Sequence, residues 1–122
     1  MATRSRIGIA NPQGNITSIY CHFDGYPWHI GRLLHTTYNT EEDARKIVAL
    51  GDLSCLDDRL DGGTVAYGRD RGEEGTDAEE HTDEEWPDTG QEFLYLWMGS
   101  LGWHYREERT PGWRLLTPAS FE

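Results

Sequence analysis

The sequence predicts an α+β fold: a four- to five-stranded, mainly antiparallel sheet with two helices packed on one face. Three observations lead there. Alternating stretches rich in β-branched and aromatic residues stand towards both ends of the chain, at 3–10, 16–23, 92–98 and 103–108. Helical spacing occupies part of the middle, between residues 30 and 50. The length, 122 residues, fits a single domain over 1–122, with an acidic loop or insertion at 72–92.

TRSRIGIA (3–10) and ITSIYCHF (16–23) read as strands joined by the turn loop NPQGN. Closing that loop sets Ala10 opposite Ile16, Ile7 opposite Ile19, Arg6 opposite Tyr20 and Arg4 opposite His22. Directly opposed residues share a face. One face therefore carries Ile7, Ile9, Ile19, Cys21 and Phe23, and the other Arg4, Arg6, Gly8, Ser18, Tyr20 and His22. A one-residue slip would mix the two sets, so their separation supports the register.

Beyond the corner Asp24-Gly25-Tyr26-Pro27, residues Ile30, Leu33, Leu34 and Tyr38 keep helical spacing. A second helix starts after Thr40, where T-E-E-D resembles a capping box with Asp in the last position. Its apolar positions are Ala44, Ile47, Val48 and Leu50, and Gly51 sits where a left-handed cap belongs. Residues 52–61 read as irregular, Gly62-Gly63 as a turn, and TVAY (64–67) as a short strand. EFLYLWM (92–98) and WHYREE (103–108) form a second hairpin around GSLG, followed by a strand at 113–117. Trp97, Trp103, Trp113, Tyr95 and Tyr105 read mostly as core and cross-strand pairs; any left exposed would favour a partner surface or a homo-oligomer.

The net charge of −11 is unevenly spread. Residues 72–92 hold ten carboxylates and no Lys or Arg, and the remaining 101 residues are nearly neutral. That segment has the composition of a solvated loop, with Trp86 as a possible anchor. Ten of the eleven bases are arginine, the residue suited to bidentate grips on phosphate. No basic stripe is left over for direct nucleic-acid binding. No apolar run approaches the ~20 residues that span a bilayer, and the N-terminus lacks the apolar core of a secretion signal. Cys21 and Cys55 make no disulfide framework, and alternation turns Cys21 inward, away from any nucleophilic role.

The polar side of the first hairpin is the candidate site. Arg4, Arg6, Tyr20 and His22 lie there, Asp24, Tyr26 and His29 surround the corner, and GRDRG adds Arg69 and Arg71 in a glycine-bounded loop. Guanidinium groups hold phosphate, aromatic rings stack on a base, and Asp or His reads base edges or ribose hydroxyls, so the expected ligand is a small nucleotide. The bland alternative is a solvated sheet face with Arg4 and Arg6 paired to carboxylates. If there is catalysis, His22 and His29 are the acid–base candidates for phosphodiester cleavage. His22, Asp24 and His29 match no well-specified metal motif, and neither metal nor cofactor is expected.

TRSRIGI, SIYCHFDGYPWHIG, YNTEEDARKIVALGDLS and TVAYGRDRGE resemble a group of small proteins encoded by bacteriophages and prophages, over roughly residues 3–74. The resemblance implies a phage gene product acting in the cytoplasm of the bacterial host, in the manner of a counter-defence factor. Joined to the residue reading, it gives a protein that sequesters, or cleaves, a nucleotide immune signal. The alternative is an acidic inhibitor of a host defence protein, of anti-CRISPR or antirestriction type. In that reading Glu73, Glu74, Asp77, Glu79, Glu80, Asp83, Glu84 and Glu85 imitate the phosphates of nucleic acid.

Overall fold

Alternation places the first hairpin correctly. Strand β1 (Ser5–Ala10) pairs antiparallel with β2 (Ile16–Cys21), with Arg6 opposite Tyr20, Ile7 opposite Ile19 and Ala10 opposite Ile16. The computed structural model describes residues 2–121. Further along come β3 (Leu53–Cys55), β4 (Val65–Ala66), β5 (Glu79–His81), β6 (Phe93–Trp97), β7 (Trp103–Glu107) and β8 (Arg114–Leu115).

These strands form one mixed sheet in the order β4-β3-β2-β1-β6-β7-β8, with β5 paired to β2. The expected four- to five-stranded, mainly antiparallel sheet is therefore corrected: the described residues form eight strands, and both β1–β6 and β2–β3 pair in parallel. Two strands went unforeseen for a simple reason. β3 and β5 are three residues each, too short to show a period of two, and β5 lies inside the carboxylate run. The parallel pairing arises because the chain leaves β2, builds its helices and the acidic segment, and only then returns beside β1.

One face of the sheet makes the core. Ile7, Ile19, Cys21 and Tyr95 have no exposed surface, and Trp97 and Trp103 meet edge to face with ring centroids 5.5 Å apart. Pro27–Gly31 forms a single π-helical turn that runs into α1 (Arg32–Thr36), and α2 is Glu41–Ala49. Ile30, Leu34, Ala44, Ile47 and Val48 from these elements join the same apolar cluster. Full burial of each such aliphatic side chain contributes about 1.5–3 kcal/mol. Tyr95 donates its hydroxyl to the Gly25 carbonyl at 2.6 Å, tying the corner at 24–27 to the middle of the sheet.

Helix α2 begins as its sequence asks: the Thr40 hydroxyl oxygen accepts from the Asp43 N–H at 3.1 Å. It ends at Gly51, whose φ is +76° and where an added Cβ would stand 2.4 Å from the Thr76 carbonyl oxygen. Thr76 in turn accepts the Asp52 N–H at 2.7 Å, so this contact joins the helix end to the acidic segment. Gly51→Ala meets both a left-handed backbone and a backbone clash. It is expected to lower stability by about 2–4 kcal/mol, read as a fall in the chemical denaturation midpoint.

GRDRG is not the expected glycine-bounded loop. Residues Tyr67–Arg71 form a short helix, α3, closed by Gly72 at φ +65°. The Asp70 carboxylate accepts the Ala66 N–H at 2.8 Å, which holds the first turn in place. Among the described residues no helix is long and apolar enough to cross a membrane.

Candidate functional site

The back of the sheet carries Arg6 and Ser18 as expected, but it also carries buried Ile16, Leu94 and Leu96, and it is not open. Arg6 is only 2 % exposed. Its Nε donates to the Ser18 hydroxyl at 3.0 Å and its Nη2 to the Ser18 carbonyl at 3.2 Å. Burial pulls its pKa below the usual guanidinium range, against the opposing fields of Asp52 and Glu79. Asp52 is shifted upwards, again by burial first, although its carboxylate accepts the Tyr20 N–H at 2.9 Å. Burial works against the charged form of each group, and Arg6 is a buried structural cation rather than a group facing a ligand.

Its cover is the acidic segment. Strand β5 pairs antiparallel with β2, setting His81 opposite Ile16 and Glu79 opposite Ser18. Beyond it, Trp86 packs against His81 and Trp113, with ring centroids 4.7 and 5.8 Å apart. Asp83 accepts both indole N–H groups, from Trp86 at 3.1 Å and from Trp113 at 3.4 Å. Gln91 is buried, and the Glu92 N–H donates to the Arg4 carbonyl at 2.8 Å. The segment is folded onto the domain rather than free in solvent, with Trp86 in the anchoring place expected of it. Its ten carboxylates all remain exposed, Glu73, Glu74, Asp77, Glu79, Glu80, Asp83, Glu84 and Glu85 among them.

A smaller set of the expected residues does come together at the end of β2. The Tyr20 hydroxyl lies 2.6 Å from His22 Nδ1. The Tyr20 phenol is shifted upwards by burial and by Tyr67, while the neighbouring Arg4 pulls it down. The Arg71 guanidinium stands 5.2 Å from the Tyr67 ring centroid. Arg4 and Arg71 are exposed, and neither has an ion-pair partner among the described residues. Phe23, 44 % exposed, meets His22 edge-on at 4.5 Å. Tyr67 and Phe23 were not among the expected binding residues. Tyr67 closes a short strand in the sequence pattern and carries no binding signal there, and the alternation that turns Phe23 inward ends at Cys21.

The other expected residues are engaged elsewhere. Arg69 donates to the Leu60 carbonyl at 2.6 Å and the Thr64 carbonyl at 2.9 Å, and it pairs with Asp70. It is a staple for the 60–70 turn. Asp24 holds a left-handed φ of 56°, and its carboxylate accepts the Tyr26 hydroxyl at 2.7 Å. That bond raises the Tyr26 pKa, and the Tyr26 ring stacks on Trp28 at 4.5 Å. His29 Nε2 donates to the Leu56 carbonyl at 3.0 Å, so this nitrogen is taken up by the fold. Cys21 is wholly buried, and burial pushes its thiol up to about 12.

Three clefts, of about 470, 340 and 300 Å³, open elsewhere, and none is lined by Arg4, Tyr20, His22, Tyr67 or Arg71. The cluster presents two cations and several ring faces on an open surface, chemistry for holding an anion beside a flat ring. Comparison of the chain with family models, with curated proteins and with solved structures gives no match.

Proposed function

We propose that this chain is a phage counter-defence protein that binds and sequesters a small nucleotide signal of bacterial immunity. The ligand surface is Arg4, Tyr20, His22, Tyr67 and Arg71. One observation carries the reading. In a chain with 22 acidic and 11 basic residues, two exposed arginines without a carboxylate partner among the described residues flank a patch of phenol and imidazole rings. Phosphate on the guanidinium groups and a base against the rings would use every member of the set. Binding is favoured over cleavage because His29 Nε2 is committed to the Leu56 carbonyl and His22 Nδ1 to the Tyr20 hydroxyl. Isothermal titration with cyclic, linear and ADP-ribose-type nucleotides tests the proposal. Saturable heat with one class supports it, and no heat with any leaves it without a ligand.

A second reading is favoured by a different observation. The acidic segment is anchored by β5, Trp86 and Gln91, so its exposed carboxylates are held in place on the surface. Such an array suits the basic groove of a host defence protein. Replacing Glu79, Glu80, Glu84 and Glu85 by Gln separates the two readings. It removes inhibition under this one and leaves nucleotide capture intact under the first.

A further inference from the structure

The side chain of His81 closes a buried chain of hydrogen bonds whose polarity is fixed by its ends. His81 Nδ1 lies 2.7 Å from the Thr82 carbonyl, which can only accept, so Nδ1 carries the hydrogen. Nε2, 2.7 Å from Ser18 Oγ, then offers a lone pair to the neutral ring's partner hydroxyl. Ser18 donates to that lone pair while accepting the Arg6 Nε–H. Arg6, Ser18 and His81 are satisfied together only while His81 is neutral.

We propose that residues 79–90 are a strap latched over Arg6 by neutral His81, and that protonation of His81 releases the strap and bares Arg6 and Ser18. A proton on Nε2 would point a second donor at Ser18 Oγ. The hydroxyl hydrogen would then have to turn into a buried position without an acceptor, and a second positive charge would lie near Arg6. The proton has a route, because a cleft of about 300 Å³ lined by Asn15, Glu80, Thr82 and Glu85 reaches His81.

The charged groups around His81 act in both directions. Burial is the largest influence and lowers its pKa, and Arg6 on β1 lowers it further. The Thr82 carbonyl, Glu79 on β5 and Asp83 beyond it favour the charged ring, as do Glu80 and Glu85 along the cleft by their sign. The net shift is downwards from 6.5. With the closed-state value depressed, the latch is fully engaged above the ordinary histidine value. It is lost as the pH falls through the closed-state value. This device goes beyond nucleotide capture and stands whether or not a nucleotide binds.

Hydrogen exchange of the full chain, corrected for intrinsic rates, tests it. Between about pH 7.5 and pH 5, protection of amides 79–86 is expected to fall by roughly threefold or more while β6 amides hold. In His81→Gln, which keeps an acceptor for Ser18 but does not titrate, the strap is expected to lose this dependence. Strap protection that tracks β6 at every pH would overturn the proposal, as would His81→Gln retaining the native profile. If that variant does not fold, the ring signals of native His81 decide the matter. Their midpoint is expected to coincide with the loss of strap protection, and a clearly different midpoint overturns the latch.

Discussion

Arg6→Ala is expected to lower stability by about 2–4 kcal/mol, an unusually large loss for an arginine. The reason is position. The guanidinium fills a sealed space and donates twice to Ser18, and it supplies the positive field that offsets the half-buried Asp52. Removing it leaves a cavity, takes a donor from both oxygens of Ser18 and leaves a carboxylate without its countercharge. The pH dependence separates these causes. Asp52 already has a raised pKa, so ionising it opposes folding, and without Arg6 that opposition grows. The deficit should therefore be greatest near neutral pH and shrink as the medium is acidified towards the ordinary aspartate value of 3.8. Arg6→Met fills much of the volume and should recover part of the loss at every pH. Denaturant midpoints across the pH range measure both effects. A deficit that is small, or constant with pH, would place Arg6 outside the buried network.

The paired change Arg4→Ala with Arg71→Ala is expected to do the reverse: weaken capture of a nucleotide by roughly 100-fold or more and leave stability nearly unchanged. Both side chains are exposed and without ion-pair partners among the described residues, so truncation takes away few folded-state contacts. What Arg4 gives the fold is its backbone carbonyl, which accepts from Glu92 and survives the substitution. Titration of the double variant beside the native chain, with denaturation midpoints for both, checks it. Unchanged affinity would remove these two guanidinium groups from the ligand surface.

The contrast between Arg6 and Arg4 shows where the sequence was legible. Alternation sorted both onto the polar side of the first hairpin, and the register proves that sorting right for Arg6. A period of two says which way a side chain points and nothing about whether that side is covered. The cover here comes from residues 79–91, whose anchors His81, Trp86 and Gln91 are dispersed among carboxylates that pull mean hydropathy down. Local chemistry was readable where it is local: the Thr40 cap, the Gly51 stop and the turns closing both hairpins. The parallel joining of β1 to β6 depends on a long excursion of the chain and leaves no short-range trace. In the same way Arg69 and Arg71, two residues apart in one motif, part company. α3 directs the first to the Leu60 and Thr64 carbonyls and leaves the second over Tyr67.

On this proposal ligand capture belongs to the exposed rim at the end of β2 and α3, and the sealed face beneath the acidic segment serves the fold. Amide chemical-shift mapping with the nucleotide that gives the strongest titration heat tests this most directly. Shifts confined to residues near 4, 20–23 and 67–72 are the expected result. Shifts centred on the clefts beside Val48 or Arg109 instead would contradict it.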